Sequence, residues 1–305
     1  MSNSLVTEAT VPPVERHFPD FTSNVHDLTA SGVEFFLASN ESLRRHLNEA
    51  PYGHKLTWLD FTDLSDKGWT MAAFLDLFNV INGIAFGDRG IPMPQWVMVD
   101  LILMPSAAII ASLPQDAFAV MVEQSTYSFD SDVKTHLRAV LEKARQDRYT
   151  GPMPVGGYCA APSAAPGTWV GWSLWSLMPN VGLGQAVKAL ALSAYGAGKL
   201  DGVTQYDNSA LKVHTRFGRL RILVASVPFH TSPGSFVYES DFTLPVRSDP
   251  AEPSFLLDPF DLDRQQAMQQ AIAAGRSEFY VLPPGHLVRH GSTSVPVLEV
   301  SMGDR

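Results

Sequence analysis

Residues 178–192 read MPNVGLGQAVKALAL, and residues 202–218 read GVTQYDNSALKVHTRFG. The first stretch predicts a strand end that passes through a glycine turn into a helix, and the second predicts a short strand and another helix. Glycine turns at helix N-termini leave backbone N–H groups free to bind an anion, usually a phosphate. The second helix carries His214, and histidine can transfer protons near neutral pH. The two stretches therefore combine an anion-binding turn with a proton-transfer group.

The backbone N–H groups of the glycine turn form the predicted anion-binding site. Glycine tolerates positive φ and lets a ligand approach the backbone closely, which favours a pyrophosphate cradle at Gly182 and Gly184. The same pattern is typical of a tight strand-to-helix turn that binds nothing, so the pattern does not decide between the two. The residues predicted to bind the anion are Asn180, Val181, Gly182, Leu183, Gly184 and Gln185.

The predicted helix around His214 indicates the direction of its side chain. Ala210 and Leu211 precede it by four and three residues, so they share its helix face, and we expect the imidazole to point inward toward the sheet. With an ordinary pKa of about 6.5, such a group serves as a general acid or as a hydrogen-bond donor to a carbonyl. The alternative is a surface histidine that caps its helix.

The composition limits the classes of protein to which the chain can belong. Of its 305 residues, 45% are hydrophobic and 17% are charged, so a large core can form. The formal net charge of -9 argues against nonspecific binding of nucleic acid. The single cysteine, Cys159, excludes a disulfide framework and a cysteine-rich zinc site, and we predict no metal.

The sequence shows neither the pattern of an export signal nor that of a membrane-spanning segment. The first ten residues, MSNSLVTEAT, contain no basic segment followed by an apolar run. The longest apolar stretch, over residues 96–113, is interrupted by Asp100, Pro105 and Ser106 and is typical of buried strands. We therefore predict a cytoplasmic protein that acts on small molecules and contacts neither nucleic acid nor membrane.

Hydrophobic periodicity predicts helices over residues 69–84 and 132–148, and strands over residues 107–113 and 168–178. The remaining segments are less regular: the sequence predicts a loosely ordered arm over residues 1–30, a helix over 32–47, strands over 96–104 and 118–124, an irregular connection over 151–167 and a linker over 245–263. This order of elements predicts a mixed α/β fold with a partly antiparallel sheet.

The order of elements and two motifs resemble the GCN5-related N-acetyltransferase (GNAT) superfamily, over roughly residues 56–243. The family's phosphate loop has the form Arg/Gln-x-x-Gly-x-Gly/Ala between its fourth strand and a helix. Residues 179–184, PNVGLG, stand at that place without the leading Arg or Gln, so the match is partial. Four residues fit the family's next strand and helix in spacing: Asp207, Ala210, His214 and Gly218.

The resemblance implies a GNAT-like α/β domain over residues 51–244, with an N-terminal arm and helix over 1–50 and a C-terminal extension over 245–305. It implies transfer of an acyl group from a coenzyme A or carrier-protein thioester to a small-molecule acceptor, without a metal. Adjacent strands would separate near Trp172 to Ser176, so that the pantetheine lies along the sheet. His214 would protonate the thiolate or stabilise the oxyanion. A second copy of the chain or an acyl carrier protein would be the partner.

A histidine where the family commonly has a tyrosine is similar to a decarboxylating branch, which includes malonyl-CoA decarboxylase and the GNAT-like domains of polyketide loading modules. That branch pairs its histidine with a hydroxyl, for which Ser176 and Ser173 are the candidates here. Strand alternation places these two serines on opposite faces, and either could simply be a polar residue of an exposed face. Two alternatives therefore stay open: decarboxylation of a malonyl-type thioester, and a GNAT-like module that binds a ligand or partner without catalysis.

Overall fold

The computed structural model describes residues 21–39, 55–59, 68–87, 107–124, 131–227, 234–243, 252–283 and 294–304. Within these ranges, strands β1 to β11 are Glu34–Ser39, Leu56–Leu59, Ala107–Leu113, Met153–Pro162, Thr168–Ser176, Lys199–Gln205, Leu220–Val224, Ser235–Asp241, Phe255–Leu257, Ser277–Val281 and Val295–Ser301. Helices α1 to α7 are Thr22–Ala30, Met71–Phe86, Gln115–Gln124, Ser131–Gln146, Leu183–Tyr195, Leu211–His214 and Leu262–Ala273. One 3-10 turn, Thr215–Phe217, continues α6, and another, Met302–Asp304, follows β11.

All described strands belong to one sheet with the order β2-β1-β3-β4-β5-β6-β8-β7-β10-β11-β9. The pairs β1/β2 and β5/β6 are parallel, and every other described pair is antiparallel. The predicted fold class, a mixed and partly antiparallel sheet flanked by helices, is confirmed. The sheet takes strands from all three predicted segments of the chain, since β1 lies before residue 51 and β9 to β11 lie after residue 244.

The parallel pair β5/β6 comes apart partway along its length. Its ladder runs from Thr168 opposite Lys199 to Gly171 opposite Gly202, and ends there. Beyond it, β5 continues to Ser176 and β6 to Gln205 without pairing with each other. We call the space between them the wedge. It opens toward the carboxyl ends of both strands, where ligands of α/β sheets commonly bind. The predicted separation near Trp172 to Ser176 is confirmed.

A β-bulge lies on β5 directly at the end of this ladder. Gly171 pairs with Ala160 of β4, and the next partners are Ser173 and Cys159, so Trp172 is an extra residue on β5. Bulges bend a strand and increase its twist. The bulge therefore accounts for the departure of β5 from β6 at this point, and it leaves the Trp172 side chain half exposed.

Helices cover both faces of the central strands. Leu183 of α5 lies where a Cβ on Gly156 would stand, and Phe78 of α2 lies where a Cβ on Gly157 would stand. Because successive strand residues point to opposite faces, α5 and α2 lie on opposite sides of the sheet. Helix α5 buries nearly all of its residues, which is the pattern of a core helix that is apolar all round. Lys188 in its middle is therefore enclosed.

Several predictions for the outer segments are wrong. Residues 22–30 form helix α1, which buries Val25 and Leu28, where a loose arm is predicted. Residues 34–39 form β1 rather than part of a helix, because this short apolar run pairs with β2 on one side and β3 on the other. Strand β9 lies within the predicted linker. The predicted strand over 96–104 lies outside the described residues.

Two predictions near the centre are also wrong. Residues 115–124 form helix α3 instead of a strand, since Phe118 and Val122, four residues apart, share one buried helix face. Residues 153–162 form β4, although their glycine and proline content predicts an irregular connection. Gly156 and Gly157 belong in this strand because they let Leu183 and Phe78 approach the backbone from either side.

Candidate functional site

The glycine turn between β5 and α5 lies at the open end of the wedge. Asn180 and Gly182 adopt positive φ values of 64° and 78°, in the left-handed region that asparagine and glycine tolerate best. The N–H groups of Gln185 and Ala186 both donate to the Gly182 carbonyl at 3.0 Å. Among the described residues, the N–H groups of Gly182, Leu183 and Gly184 have no acceptor. Three donors at the positive end of a helix can therefore bind an anion.

Helix α1 covers one side of this turn, a contact between segments that are far apart in the sequence. The side-chain amide of Asn24 occupies the place that a Cβ on Gly182 would take. Its Nδ2 donates to the Val181 carbonyl at 3.2 Å, and its buried Oδ1 has no partner within the described ranges of the chain. Just before the helix, the Phe21 ring packs on the Phe217 ring at 4.8 Å between centroids. Helix α1 therefore covers the turn at Gly182, while Asn180 and Val181 are exposed.

We predict that Gly182→Ala lowers the free energy of unfolding by about 2 kcal/mol, because a left-handed alanine is strained and its methyl group collides with Asn24. The matched control is Gly184→Ala. There the new Cβ would lie 3.4 Å from Val213 Cγ2, an ordinary contact, and alanine favours the helix. Urea denaturation of both variants checks the prediction. Equal stabilities would contradict the placement of Asn24 against Gly182.

A cluster of three polar side chains lies buried on the α5 side of the wedge. Lys188 Nζ of α5 is 2.8 Å from Nδ1 of His214 on α6, and the Tyr238 hydroxyl of β8 is 3.2 Å from the same nitrogen. Lys188 is 0% exposed and His214 is 5% exposed. We call these residues the Lys–His–Tyr cluster. Nε2 of His214 has no hydrogen-bond partner among the described residues, so it is the nitrogen that can face a substrate.

The rings of two tyrosines lie over the two glycines at which the β5/β6 ladder ends. Tyr238 lies opposite Gly202, and its hydroxyl is 2.6 Å from where a Cβ on Gly202 would stand. Tyr158 of β4 crosses Gly171 in the same way. The hydroxyl of Tyr158 and that of Thr204, in the separated part of β6, are buried without a partner in the described part of the chain. Buried polar atoms normally have partners, so each of these two hydroxyls has a hydrogen bond left to make to a polar group placed beside it.

Burial changes the protonation of this cluster. It lowers the pKa of Lys188 to about 7, and burial together with the Lys188 charge lowers the pKa of His214 well below its ordinary value. Burial raises the pKa of both Tyr158 and Tyr238, and the Asp201 charge adds to the effect on Tyr238. At neutral pH the imidazole and both phenols are therefore uncharged, and Lys188 is close to half protonated.

The two candidate serines lie apart from His214. The Ser176 hydroxyl donates to the Met178 carbonyl and accepts from the Met178 N–H, both at 3.1 Å, so it stabilises the start of the turn. Ser173 is buried on the α2 side of the sheet, 3.5 Å from Asn82 Oδ1. Neither hydroxyl is bonded to the Lys–His–Tyr cluster. The structure thus brings His214 beside the wedge, and keeps residues 180–185 together at its mouth.

Sequence reasoning missed Lys188 and Tyr238. A signal for Lys188 exists: it is the one charged residue in the predicted helix QAVKALALSAY, in which every residue after Lys188 is small, apolar or aromatic. A lysine in such a helix is either enclosed or functional. Tyr238 carries no comparable signal, because its position opposite Gly202 depends on the pairing of β8 with β6.

Other parts of the described chain add little to this site. A surface groove of about 580 Å³ lies elsewhere, lined by Thr29 of α1, residues of β1 and β2, Trp69 and Pro152, and it does not reach the Lys–His–Tyr cluster. We favour the wedge because the cluster and the unpaired hydroxyls are there.

No described group of three or more His, Cys, Asp or Glu residues is placed to hold a metal ion. No described helix is long and apolar enough to cross a membrane.

No protein-family model and no curated protein matches the sequence. Among solved structures, the chain is similar to nourseothricin acetyltransferase, with 14% identity and a TM-score of 0.28 over 45% of this chain and 65% of that chain. It is also similar to a protein of Acinetobacter baylyi ADP1 whose suggested activity is acetyl transfer, with 15% identity and a TM-score of 0.25 over 49% of this chain and 99% of that chain. The chain thus spans just under two thirds of the length of the first of these proteins.

Proposed function

We propose that this protein is an acyltransferase of the GNAT type that takes its acyl group from a coenzyme A or carrier-protein thioester and transfers it to a small-molecule acceptor. One observation carries the proposal. The wedge between β5 and β6 begins at the Lys–His–Tyr cluster and opens at a turn with three N–H groups that no described residue accepts. This arrangement matches a ligand with an anionic head, a long thin arm and a reactive end.

The turn and the wedge would each bind a different part of the thioester. The N–H groups of Gly182, Leu183 and Gly184, together with the helix dipole of α5, would hold the pyrophosphate. The pantetheine would lie in the wedge. There, the backbone edge of β5 from Trp172 to Ser176 pairs with none of the described strands on the β6 side, and it would bond to the amides of the arm as an added strand does.

The reaction would occur beside His214. The nucleophilic atom of the acceptor attacks the thioester carbonyl carbon, and a bond to that carbon forms. The carbon–sulfur bond then breaks to release a thiolate, and the proton that the acceptor loses passes to water. The imidazole is uncharged because burial and Lys188 lower its pKa. Its Nε2–H would bond to the developing oxyanion, or pass to the departing sulfur as Nδ1 takes up another proton. Binding both reactants side by side in the wedge would supply most of the rate gain.

The proposal is tested by incubating the protein with acetyl-CoA or malonyl-CoA and a set of small amines, and following the products by mass spectrometry. Free CoA together with an acylated amine is the expected result. Acetyl-CoA formed from malonyl-CoA without an acceptor would replace acyl transfer by decarboxylation. Absence of both products, together with no thermal shift on adding any CoA species, would overturn the enzyme proposal and favour a non-catalytic module.

A further inference from the structure

His214 cannot supply a proton in the way an ordinary histidine does. A general acid of this kind usually acts as the charged imidazolium. Here burial and the neighbouring Lys188 lower the pKa of His214 well below its ordinary value, so the imidazolium is scarcely populated at neutral pH. A neutral imidazole can still donate from Nε2, provided that Nδ1 takes up another proton at the same time. The source of that second proton must therefore touch Nδ1.

We propose that Lys188 is a positioning residue that sets the tautomer of His214 and delivers to Nδ1 a proton in exchange for the one that Nε2 gives to the leaving thiolate. This inference rests on the proposed acyl transfer. Its structural basis is the 2.8 Å contact between Lys188 Nζ and His214 Nδ1 inside the protein.

The geometry decides which nitrogen of His214 carries the proton. An ammonium group has three donors and no lone pair, so protonated Lys188 can only donate to Nδ1. Nδ1 must then be the acceptor, and the ring proton must reside on Nε2. Tyr238 is a second donor within reach of Nδ1, but its hydroxyl is farther away at 3.2 Å. The Phe217 ring, 4.9 Å from Lys188 Nζ, adds a cation–π contact that holds the ammonium in place.

The exchange consists of two coupled proton transfers, one from Lys188 to Nδ1 and one from Nε2 to the sulfur. Before it, Lys188 is an ammonium bonded to Nδ1, and the Nε2 proton faces the thiolate sulfur. Afterwards, Lys188 is an amine that accepts a hydrogen bond from the Nδ1 proton, Nε2 carries a lone pair, and the sulfur is a thiol. The imidazole changes tautomer without becoming charged, which is what its enclosed position requires. Solvent then reprotonates Lys188 when the product leaves.

The acid strengths favour this direction. An alkyl thiol has a pKa of about 8.5, whereas an exposed lysine, at about 10.4, would be too weak an acid to protonate the thiolate. Burial lowers the pKa of Lys188 to about 7, below that of the thiol. Among the described residues, Tyr238 of β8 is the other titratable group bonded to the pair, and Tyr158 of β4 interacts with Tyr238 in turn. Burial raises the pKa of both phenols, so both are neutral. In the described part of the chain, no carboxylate forms an ion pair with Lys188 that would hold it protonated.

The test compares Lys188→Met with Lys212→Met, a control at an exposed lysine of α6. With acetyl-CoA, we expect Lys188→Met to lower kcat about a hundredfold with little change in KM, and Lys212→Met to change neither. With an acetyl thioester of 4-nitrothiophenol, whose thiolate leaves without a proton, Lys188→Met should approach the wild-type rate. An equal loss with both thioesters, or no loss with either, would overturn the relay.

A second readout does not depend on activity. Nitrogen-15 NMR of the wild type should show the His214 proton on Nε2 below pH 7, and partly on Nδ1 above pH 7, once Lys188 becomes an amine. This pH dependence should disappear in Lys188→Met. If the tautomer responds in this way but no thioester reacts, the Lys188–His214 coupling stands and the proposed acyl transfer is wrong. A tautomer independent of Lys188 would overturn the inference even in an active enzyme.

Discussion

His214→Ala is expected to lower kcat for acyl transfer by about a hundredfold or more, the range in which loss of a positioned general acid falls. His214 is the imidazole at the base of the wedge, and its Nε2 has no partner among the described residues. Without it, the departing thiolate would have to take its proton from water. Steady-state kinetics with acetyl-CoA and a reactive amine measure the effect, and KM for the thioester should change much less than kcat.

Two further variants separate chemistry from folding. His214→Gln keeps an N–H donor of similar reach but cannot pass a proton through a ring, so it should lose nearly as much activity as alanine. His136→Ala removes an exposed histidine of α4 and should leave the rate unchanged. Thermal melting of all three proteins shows whether each is folded. A well-folded His214→Ala protein with the full rate would remove His214 from the mechanism.

Lys188→Met is expected to change how stability depends on pH, whatever reaction the protein performs. Lysine has a pKa of about 10.4 in the unfolded chain, and burial lowers it to about 7 in the folded state. Between these values the unfolded state binds more protons, so the wild-type free energy of unfolding rises with pH. From pH 7 to pH 9 this rise should be about 2 kcal/mol, and at pH 7 methionine should remove a penalty of the order of 4 kcal/mol.

Urea denaturation of wild type and Lys188→Met at several pH values between 7 and 9 measures this difference in slope. The range stays above pH 7 because His214 contributes below about 6.5, where the unfolded histidine takes up a proton that the folded one refuses. Lys212→Met should follow the wild-type slope, since Lys212 is exposed. Parallel curves for wild type and Lys188→Met would show that Lys188 is not enclosed as the structure has it.

The glycine turn and the helices beside it could be predicted from sequence because their signals are local. Gly182 and Gly184 lie within a few residues of an apolar strand and an apolar helix. The side-chain periods of these elements, two residues for a strand and 3.6 for a helix, can be recognised within a short window of sequence. The inward direction expected for His214 agrees with its burial, because it follows from Ala210 and Leu211 on the same helix face.

Strand β4 marks the limit of such local signals. Residues 153–162 contain two prolines and two adjacent glycines, which predict a loop when only neighbours in the chain are considered. They form a central strand because β3 and β5 pair with them on both edges, and because Leu183 and Phe78 fill the space above and below the glycines. Those partners come from distant parts of the chain.

The sequence by itself determined the mixed α/β class, the turn at Gly182 and the helix that follows it, since each depends on residues next to one another. Only the tertiary structure brought Lys188 to His214, 26 residues away, and Asn24 to Val181, 157 residues away. Such contacts depend on the order and register of strands and on which helix face meets the sheet. The free energy that selects them comes from burying the whole core at once, which no short window of sequence contains.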